Sequence, residues 1–535
     1  MATPLASATM ALRLVEYAAS HLGEHPAQNL ALLSVLVVLS YRIFRYLTAH
    51  LALSRAYARH GCERPAAYPH RDPLFGLDAL FANLAAARDN RFTAVSAQRF
   101  VDLGAHTYYT WILGRQAIHT TEPDNIKAAL ATCWKDYSIA ARKSLLGKFL
   151  GRSIFVIEGD DWKRSRARLR PNFVKEQVAD LTLLERHVKE LFRVLPGHPA
   201  TVVDLQEIFL RFTLDSASEF LFGHSTDTLV RPSFRDQEFG EAFTFSLFNF
   251  TQKVRRGALN YLHRKDPRED QAHQVCRDYV GTFVDEAMSQ RENSKAGELD
   301  KEKQREDGGA KPQRYYVLEE LVRVIDDREH ICDEIMGVML AGRDTTASLM
   351  SSAFQVLSRR PDLWHKLRIE IQDLHGQPPS YDELCNMKFA KYIINETLRL
   401  YPPVFQYGRT AARDTILPTG GGPNGTSPVF VPKGTGVTFS AWAMHRRKDF
   451  YGPDALEFCP ERWATQRHGW DYIPFGGGPR ICIGQRYALI EATYVMVRMA
   501  QEFASVEAAD DTPWTEHIAL TLSIKGGVKC KLTRA

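Results

Sequence analysis

One cysteine of the chain lies in a glycine-rich loop that suits it to hold a flat partner closely. The loop runs from Phe475 through three glycines, a proline and Arg480 to Cys482 and Gly484. Glycine lets a backbone adopt positive φ angles and approach a planar group. Apolar residues beyond Gly484, such as Leu489, have helical spacing, so the cysteine comes just before a helix N-terminus, which favours a thiolate. A thiolate in an apolar loop is a good ligand for haem iron, whereas the alternative is a buried structural cysteine.

A run of polar residues interrupts an otherwise apolar helical pattern. The run is Ala341-Gly-Arg-Asp344-Thr345-Thr346, and its glycine and threonines are weak helix formers at mid-helix. An exposed helix face explains the run poorly, because apolar residues precede and follow it. We expect a local widening of the helix in which Asp344 and the Thr345 hydroxyl face a cavity and relay protons.

Two further charge patterns are weak signals when each is taken alone. Glu396 and Arg399 are three residues apart, which places both on one helix face, as in many surface salt bridges. Trp162 and Arg166 lie one helical turn apart, a spacing that a solvated basic face also gives. Each pattern is informative only because the cysteine loop occurs in the same sequence.

Together these four motifs resemble those of the cytochrome P450 family. The resemblance implies haem b with Cys482 as the axial ligand of the iron, and Asp344 and Thr345 as the acid–alcohol pair that delivers protons to bound O2. Arg166 would pair with a haem propionate, as would Arg480 and Arg409. The residues that the resemblance places at the cofactor are Cys482, Trp162, Arg166, Arg409, Phe475, Arg480 and Gly484. Those that it gives to the structural core are Glu396, Arg399 and Arg462.

Finer details of these motifs resemble the fungal alkane and fatty-acid ω-hydroxylase branch of the family, from about residue 105 onward. Two departures stand out: Phe405-Gln406-Tyr407 replaces smaller or more polar residues, and Arg164 replaces a histidine. We expect segment 405–407 to line the substrate cavity. Aromatic residues in 240–250 and the loop 137–151 would cover the same apolar pocket, although ordinary core packing explains the aromatic residues of 240–250 equally well.

The elements that must position these residues are mostly helical. Between about residues 75 and 410, apolar residues recur at spacings of three and four, as in 209–223 and 319–340, which predicts helices. Strand-like pieces are short: 428–442 alternates around turn glycines, and 518–533 predicts a terminal hairpin. We therefore expect a mainly α fold with a smaller β region, in agreement with the cytochrome P450 fold that the resemblance implies.

A glycine-rich segment at 420–425 matches a dinucleotide-binding fingerprint in its letters only. That fingerprint needs a preceding strand and a following helix whose N-terminus holds the pyrophosphate. Here Pro423 interrupts the segment and a strand-like run follows it. We expect the chain to have no NAD(P)H site of its own, so that its electrons come from a separate protein.

Composition excludes several classes of protein. The 535 residues are 44% hydrophobic and 24% charged, which predicts a packed core rather than a disordered chain. A net charge of +5 gives no support to nucleic-acid binding. The 8 cysteines form no CxxC pair, so a disulfide scaffold and a zinc ribbon are poor interpretations.

The N-terminal part of the chain predicts a membrane anchor. Residues 26–41 carry no charge and as a helix would cover ~24 Å of a ~30 Å hydrocarbon core. A full span would also need Arg42 and Arg45 to reach the headgroups. The excess of arginine over acidic residues in 42–71 places the following chain in the cytosol. A buried amphipathic helix is the alternative.

These observations divide the chain into three parts. Residues 1–54 form the N-terminal segment with an anchor helix at about 28–50, and 55–75 form a linker rich in proline and arginine. Residues 76–535 form a single large haem-thiolate catalytic domain. Within it, the charged segment 289–314 predicts a mobile loop. We expect a single-pass or monotopic protein of the endoplasmic reticulum membrane whose catalytic domain faces the cytosol.

The resemblance implies a monooxygenase that inserts one oxygen atom from O2 into an aliphatic C–H bond of a long-chain substrate. The substrate would be a fatty acid, an alkane or the alkyl arm of a fungal secondary metabolite. Electrons would come from NADPH through a membrane-bound NADPH–cytochrome P450 reductase, with cytochrome b5 as a further partner. Tailoring oxidation of a polyketide, peptide or terpenoid is one alternative, and a haem protein that binds gas without turnover is another.

Overall fold

The computed structural model describes residues 26–72, 75–196, 198, 200–256, 266–301 and 316–535, most of them in helices. The α-helices of the first half are α1 (Pro26–Arg59), α2 (Leu77–Arg88), α3 (Phe92–Asp102), α4 (Pro123–Lys127), α5 (Ala141–Leu150), α6 (Gly159–Leu169), α7 (Lys175–Val178), α8 (Thr182–Val194), α9 (Leu205–Phe222) and α10 (Phe234–Arg256). Those of the second half are α11 (Arg268–Lys301), α12 (Val317–Val324), α13 (Arg328–Leu357), α14 (Pro361–Glu370), α15 (Tyr381–Asn386), α16 (Lys388–Leu400), α17 (Ala441–Met444), α18 (Lys448–Tyr451) and α19 (Gln485–Glu502).

Among the described residues, the strands are short and fall into four sheets. They are β1 (Ala66–Ala67), β2 (Thr107–Ile112), β3 (Arg115–Thr120), β4 (Tyr137–Ser138), β5 (Val202–Asp204), β6 (Gln406–Ala411), β7 (Thr415–Gly421), β8 (Ser427–Val431), β9 (Gly436–Ser440), β10 (Phe503–Ala508), β11 (Glu516–Ile518), β12 (Leu522–Ile524) and β13 (Lys529–Arg534). The largest sheet has six strands in the order β1-β2-β3-β9-β6-β4. The predicted mainly α fold with a smaller β region is confirmed, and so is strand formation within 428–442.

Helix α13 is buried along most of its length and carries the polar run at Asp344 and Thr345. It begins where the Asp327 side chain accepts a hydrogen bond from the His330 N–H at 3.1 Å, which satisfies one free amide of the first turn. This cap explains why the apolar pattern of 319–340 forms two helices, α12 and α13, instead of one. Helix α9 packs along α13, and the Thr213 hydroxyl donates to the Arg343 carbonyl at 2.9 Å.

Two apolar clusters meet on α13 and hold the elements that position the candidate site. The second half of α13, with Met350 and Phe354, packs in one cluster with Ile393 of α16 and Val495 of α19. Its first half, with Ile335, packs in another cluster with residues of α9 to α12. The helix that follows the cysteine loop is therefore packed directly against the helix that carries the polar run.

The N-terminal helix is longer than the sequence predicts. It is continuous over Pro26–Arg59, whereas the predicted anchor ends near residue 50, because good helix formers such as Leu, Ala and Arg continue through 51–59. In the described part of the chain, no helix has a window both long and apolar enough to span a bilayer. The predicted anchor is therefore not confirmed as a membrane-spanning helix.

The segment after α1 is bound to the catalytic domain rather than forming a free linker. Strand β1 pairs in parallel with β2, and the Glu63 N–H donates to the Pro428 carbonyl at 2.8 Å. The Gly422 N–H donates to the Arg64 carbonyl at 3.0 Å. The glycine-rich segment 420–425 forms the turn between β7 and β8, with no helix after it, so it lacks the context of a dinucleotide site.

Two sequence predictions are wrong in part. Segment 518–533 does not form a hairpin, because β12 pairs with β11 whereas β13 pairs with β10 and β5. The predicted charged loop is helical over 289–301, where α11 continues to Lys301. Glu, Gln, Lys, Arg and Ala favour helix in spite of their charge. Residues 302–314 of that loop lie outside the described residues.

Candidate active site

The cysteine loop has the backbone geometry that its glycines predict. The Cys482 N–H donates to the Phe475 carbonyl at 3.0 Å, which closes the loop. Gly478 has φ 68°, and a Cβ there would lie 1.9 Å from the Leu130 carbonyl oxygen, so only glycine fits. Helix α19 begins directly after its N-cap, Gly484, as the sequence predicts.

The Cys482 side chain is solvent-accessible although it lies among many protein atoms. It lies on the wall of an open groove of about 860 Å³, which accounts for both observations. Burial raises the pKa of the Cys482 thiol, and the Gly484 amide and Arg166 lower it by less. The predicted preference for thiolate is therefore not met by the protein alone, because desolvation outweighs the helix terminus. A bound metal cation would supply the missing stabilisation, since a coordinating thiol loses its proton.

A cluster of arginines faces the cysteine loop. Burial lowers the pKa of Arg409 to about 9, with further lowering by Arg142 and Arg480. Burial likewise lowers the pKa of Arg480 to about 10, with Arg142 and Arg166 adding to the effect. Glu158 is the acidic group that opposes these charges at both arginines. Mutual repulsion of partly buried guanidinium groups favours the binding of a ligand with more than one negative charge.

Trp162 orients two members of this cluster. The Arg480 guanidinium lies 4.4 Å from the centre of the Trp162 ring, and that of Arg166 lies 5.7 Å from it. Arg480 also donates to the Ile157 carbonyl at 3.0 Å. The structure thus brings together Trp162, Arg166, Arg480 and Arg409, which the resemblance places at the cofactor. Arg142 joins them, and sequence reasoning missed it because no motif marks it.

The sulfur ligand and the arginine cluster fit the haem that the resemblance implies. A soft sulfur ligand lies on the wall of an open groove, where a metal ion can reach it. The arginine cluster of Arg142, Arg166, Arg409 and Arg480 matches the two carboxylates of a porphyrin bearing propionates. In the part of the chain that the structure describes, no group of three or more His, Cys, Asp or Glu side chains could hold a metal ion by itself.

The acid–alcohol pair is arranged differently from the prediction. Helix α13 is α-helical throughout, so the expected local widening is absent. The Thr345 hydroxyl instead donates to the Ala341 carbonyl at 2.7 Å, a bond to the preceding turn that keeps helical geometry. Ala341, Gly342 and Thr345 are partly exposed on one face, whereas Asp344 is buried. Thr345 is therefore accessible on this face of α13, whereas Asp344 is not.

Asp344 makes an ion pair with its chain neighbour. Its Oδ1 lies 3.2 Å from Nη1 of Arg343, whose Nη2 donates to the Thr244 hydroxyl at 2.9 Å. Burial raises the pKa of Asp344, and Arg343 lowers it by less. A buried carboxyl with a raised pKa can hold a proton that an exposed aspartate would lose.

Glu396, Arg399 and Arg462 form a fully buried ionic core. The Glu396 carboxylate forms ion pairs with Arg399, at 2.8 Å from its Nη2, and with Arg462, at 3.0 Å from its Nε. Trp463 also donates its indole N–H to Glu396 at 3.0 Å. All five N–H groups of Arg399 have acceptors, three of them backbone carbonyls of His445, Ala455 and Glu457. The three residues that the sequence groups together do meet, and they fix helix α16 to segment 445–463.

A histidine connects this ionic core to the cysteine loop. Burial lowers the pKa of His445 to about 3, so its ring is neutral. Its Nε2 accepts a hydrogen bond from the Ile473 N–H at 3.0 Å, and its Nδ1 therefore donates to the Arg399 carbonyl at 3.2 Å. Ile473 comes two residues before Phe475. No sequence motif marks His445, and only its partners in the fold reveal its role.

The residues expected to cover the substrate differ in their burial and contacts. Phe405 contacts Phe92 edge to face, with ring centres 6.3 Å apart. Tyr407 does not line a substrate cavity, because its hydroxyl bonds to backbone carbonyls ahead of the cysteine loop. In segment 240–250, Phe243 is fully buried core, whereas Phe248 is exposed. Ordinary packing thus explains Phe243, as the alternative interpretation had it.

The groove beside Cys482 opens onto a basic surface. Its basic lining residues are Arg166, Arg170, Lys175, Lys391 and Arg486. Of these, Lys175 has an acidic neighbour in Asp382, at 3.9 Å. The surface next to the sulfur therefore has a local positive charge, which favours an acidic partner.

Comparison with known proteins agrees with this site. A family model described as cytochrome P450 matches residues 80–529. The chain is 48% identical to cytochrome P450 monooxygenase himC of Aspergillus japonicus, with 92% of this chain and 89% of that one covered. It is 38% identical to cytochrome P450 52A3-B of Candida maltosa, with 87% and 91% covered. The crystal structure of the cytochrome P450DA heme domain has a TM-score of 0.73 at 18% identity, covering 89% of this chain and 98% of that chain, and shows a shared fold.

Proposed function

Since the chain belongs to the cytochrome P450 family of monooxygenases, we propose that it inserts one oxygen atom from O2 into an aliphatic C–H bond of a long-chain substrate. A fatty acid, an alkane or the alkyl arm of a fungal secondary metabolite fits this proposal. The observation that carries it is the Cys482 sulfur on the wall of an opening beside a cluster of partly buried arginines. In the reduced protein, carbon monoxide should give the red-shifted Soret band of a thiolate ligand, and its absence would refute haem-thiolate chemistry.

Haem b would be held by its iron and by its propionates. Cys482 supplies the iron ligand, and Arg166, Arg409 and Arg480 pair with the propionates, with Trp162 stacked against Arg480. The bound haem supplies the binding and reductive activation of O2. The chain itself contributes the thiolate and the positive charge.

Thr345 and Asp344 would deliver protons at the accessible face of α13, with Thr345 on that face and Asp344 buried beside it. The Thr345 Oγ donates its proton to the Ala341 carbonyl at 2.7 Å, and rotation of the hydroxyl would let it donate this proton on the accessible face of α13 instead. Asp344 holds a proton more readily than a free aspartate, because burial raises its pKa. We infer that Asp344 re-protonates Thr345 after each transfer.

Replacing Thr345 tests this proton delivery. The variant Thr345→Ala should still consume NADPH but should divert reducing equivalents to hydrogen peroxide, with a lower product yield. Thr251→Ala is a matched control, because the Thr251 hydroxyl makes the same bond to the preceding turn, to the Leu247 carbonyl at 3.0 Å, on a different helix. If NADPH use and product formation stay coupled in Thr345→Ala, the proton-relay role is wrong.

Electrons would reach the site from NADPH through a separate NADPH–cytochrome P450 reductase, with cytochrome b5 as a further donor. The exposed basic residues near Cys482 support this proposal, because an acidic electron-transfer protein would dock on the surface that they form; these residues are Arg170, Lys175, Lys391 and Arg486. The charge reversal Arg486→Glu should slow the first electron transfer about tenfold at low salt, and less as ionic strength rises. Lys433→Glu reverses an exposed charge outside the groove and serves as the control.

The long-chain substrate is supported by the resemblance of the motifs to the fungal alkane and fatty-acid ω-hydroxylase branch. Titration with laurate, hexadecane and a cyclic terpenoid, followed by the spin-state change of the Soret band, separates the substrate classes. A response to a linear chain alone supports terminal hydroxylation. A response to the terpenoid alone supports tailoring of a cyclic intermediate. Binding of carbon monoxide with neither NADPH consumption nor oxygenated product for any of the three compounds would indicate a haem protein that only binds gas.

We further propose attachment to the endoplasmic reticulum membrane through α1, with the catalytic domain in the cytosol. This is supported by large apolar side chains that α1 exposes, among them Val35, Val37, Val38, Tyr41 and Phe44. Deletion of residues 1–48 should release the protein from microsomes. Unchanged membrane attachment of the shortened protein would contradict the anchoring role of α1.

A further inference from the structure

Tyr407 occupies a position between the sheet and the cysteine loop that no motif assigns. Its phenol oxygen lies 2.9 Å from both the Ile473 and the Pro474 carbonyl oxygens. These carbonyls come immediately before Phe475, whose own carbonyl accepts the Cys482 N–H. The phenol therefore binds the loop at the point where the chain enters it.

The two backbone polar groups of Ile473 are both fixed by other parts of the fold. Its N–H donates to the His445 ring at 3.0 Å. Its carbonyl accepts from the Gly476 N–H at 3.0 Å and from Tyr407. Pro474 has no N–H, and its carbonyl shares the single phenol proton of Tyr407 with the Ile473 carbonyl. Without the phenol hydroxyl, the entry to the loop would lose its direct bond to the sheet.

Strand β6 links this contact to the arginine cluster. Tyr407 and Arg409 are two residues apart on β6, so their side chains leave the same face of the strand. Both residues are paired with β9, Tyr407 opposite Phe439 and Arg409 opposite Val437, and β9 lies inside the six-stranded sheet. One strand thus carries a group that binds the cysteine loop and a group that belongs to the arginine cluster.

We propose that Tyr407 is a positioning residue that sets the height of the Cys482 loop relative to the arginines that bind the propionates. This inference rests on the proposed ligation of haem by Cys482. The iron–sulfur contact and the propionate contacts must be satisfied together by one rigid, flat molecule. A fixed distance between loop and arginines therefore favours a short, stable bond from sulfur to iron.

Electrostatics agree with this geometry. Burial raises the pKa of the Tyr407 phenol, so the phenol stays protonated and remains a donor at neutral pH. A side chain of the same shape without the hydroxyl would keep the packing of the ring and lose only the bond to the loop.

The variant Tyr407→Phe makes this single change. In the reduced, carbon-monoxide-bound holoprotein, we expect the red-shifted thiolate band to convert to the shorter-wavelength band of a lost thiolate about three to ten times faster than in wild type. Tyr57→Phe is the matched control, because Tyr57 also donates from a buried phenol to a backbone carbonyl, that of Phe430, at 3.0 Å and far from the loop. The control should convert at the wild-type rate.

The outcomes separate this inference from the proposed function. If the wild-type protein lacks the thiolate band, ligation by Cys482 is wrong and the inference falls with it. If the wild type has the band and Tyr407→Phe converts no faster than Tyr57→Phe, the positioning role of Tyr407 is wrong and ligation stands. Equal thermal stability of the two variants, with faster conversion in Tyr407→Phe alone, would support positioning over a general loss of packing.

Discussion

Glu491 is a buried carboxyl that joins three helices behind the candidate site, and it makes a sharp prediction about pH. It lies on α19, nine residues after Cys482, and is 1% exposed. Hydroxyl groups of Ser216 on α9 and Thr346 on α13 donate to it. Burial raises its pKa from an ordinary value of 4.5 to about 7, with the two hydroxyls opposing the rise. The helix after the cysteine and the helix of the acid–alcohol pair thus share one neutral acid.

The sign and size of the effect follow from this pKa. Between pH 4.5 and about 7 the folded protein keeps a proton on Glu491 that the unfolded chain has lost, so the free energy of unfolding falls as pH rises through this window. A rise of the pKa from 4.5 to about 7 corresponds to about 3 kcal/mol, at about 1.4 kcal/mol for each tenfold change in proton affinity. Above pH 7 the loss is complete and the difference stays constant.

The variant Glu491→Gln keeps the shape of the neutral acid and cannot ionise. Relative to this variant, the wild-type protein should lose about 2 to 3 kcal/mol of unfolding free energy between pH 5 and pH 8. The measurement is urea denaturation followed by circular dichroism at several pH values. Because the two proteins differ in one titrating group, other pH effects cancel in the difference.

An exposed glutamate provides the control for this experiment. Glu238→Gln changes a solvent-exposed residue of α10 and should leave the pH dependence of stability unchanged. If Glu491→Gln and wild type gave parallel curves from pH 5 to pH 8, Glu491 would not be held neutral by its surroundings. The account of burial as the dominant cause would then be refuted.

Two further substitutions test other parts of the fold. Gly421→Ala would place a Cβ 2.4 Å from the Glu63 carbonyl oxygen, so it should release the segment after α1 and speed tryptic cleavage there, as seen by mass spectrometry. Gly408→Ala, where a Cβ has nothing within 4 Å, should be cleaved as slowly as wild type. Glu396→Gln leaves the buried Arg399 without its charge partner. This variant should lower the free energy of unfolding by about 3 to 5 kcal/mol, as measured by urea denaturation. A loss below about 1 kcal/mol would contradict the buried ionic core.

Local signals in the sequence predicted the parts of the site that depend on neighbours in the chain. The glycines of the cysteine loop and the start of α19 after Gly484 need only backbone geometry and helical spacing. Glu396 and Arg399 are three residues apart on one helix, so their contact also follows from spacing. The charged segment 289–301 misled because its residues are hydrophilic and yet good helix formers.

Contacts between distant parts of the chain could not be predicted in the same way. Arg142 reaches the arginine cluster through packing of α5, and Tyr407 meets Ile473 across 66 positions. The supposed hairpin at 518–533 is divided because β13 finds partners in β5 and β10, far away in sequence. Such pairings are decided by tertiary packing, which overrides a local alternation of side chains.

The buried polar groups near the loop are better explained by positional accuracy than by stability. A buried ion pair such as Glu396 with Arg399 is weak evidence for stability, because desolvation offsets most of its attraction. Its consequence here is geometric: the Arg399 carbonyl holds the His445 ring, and that ring accepts the Ile473 N–H. Tyr407 binds the Ile473 carbonyl on the other side. Apolar packing could stabilise the same helices, but only directional hydrogen bonds fix the N–H and the carbonyl of Ile473 in both position and orientation. This residue leads directly into the loop that presents Cys482.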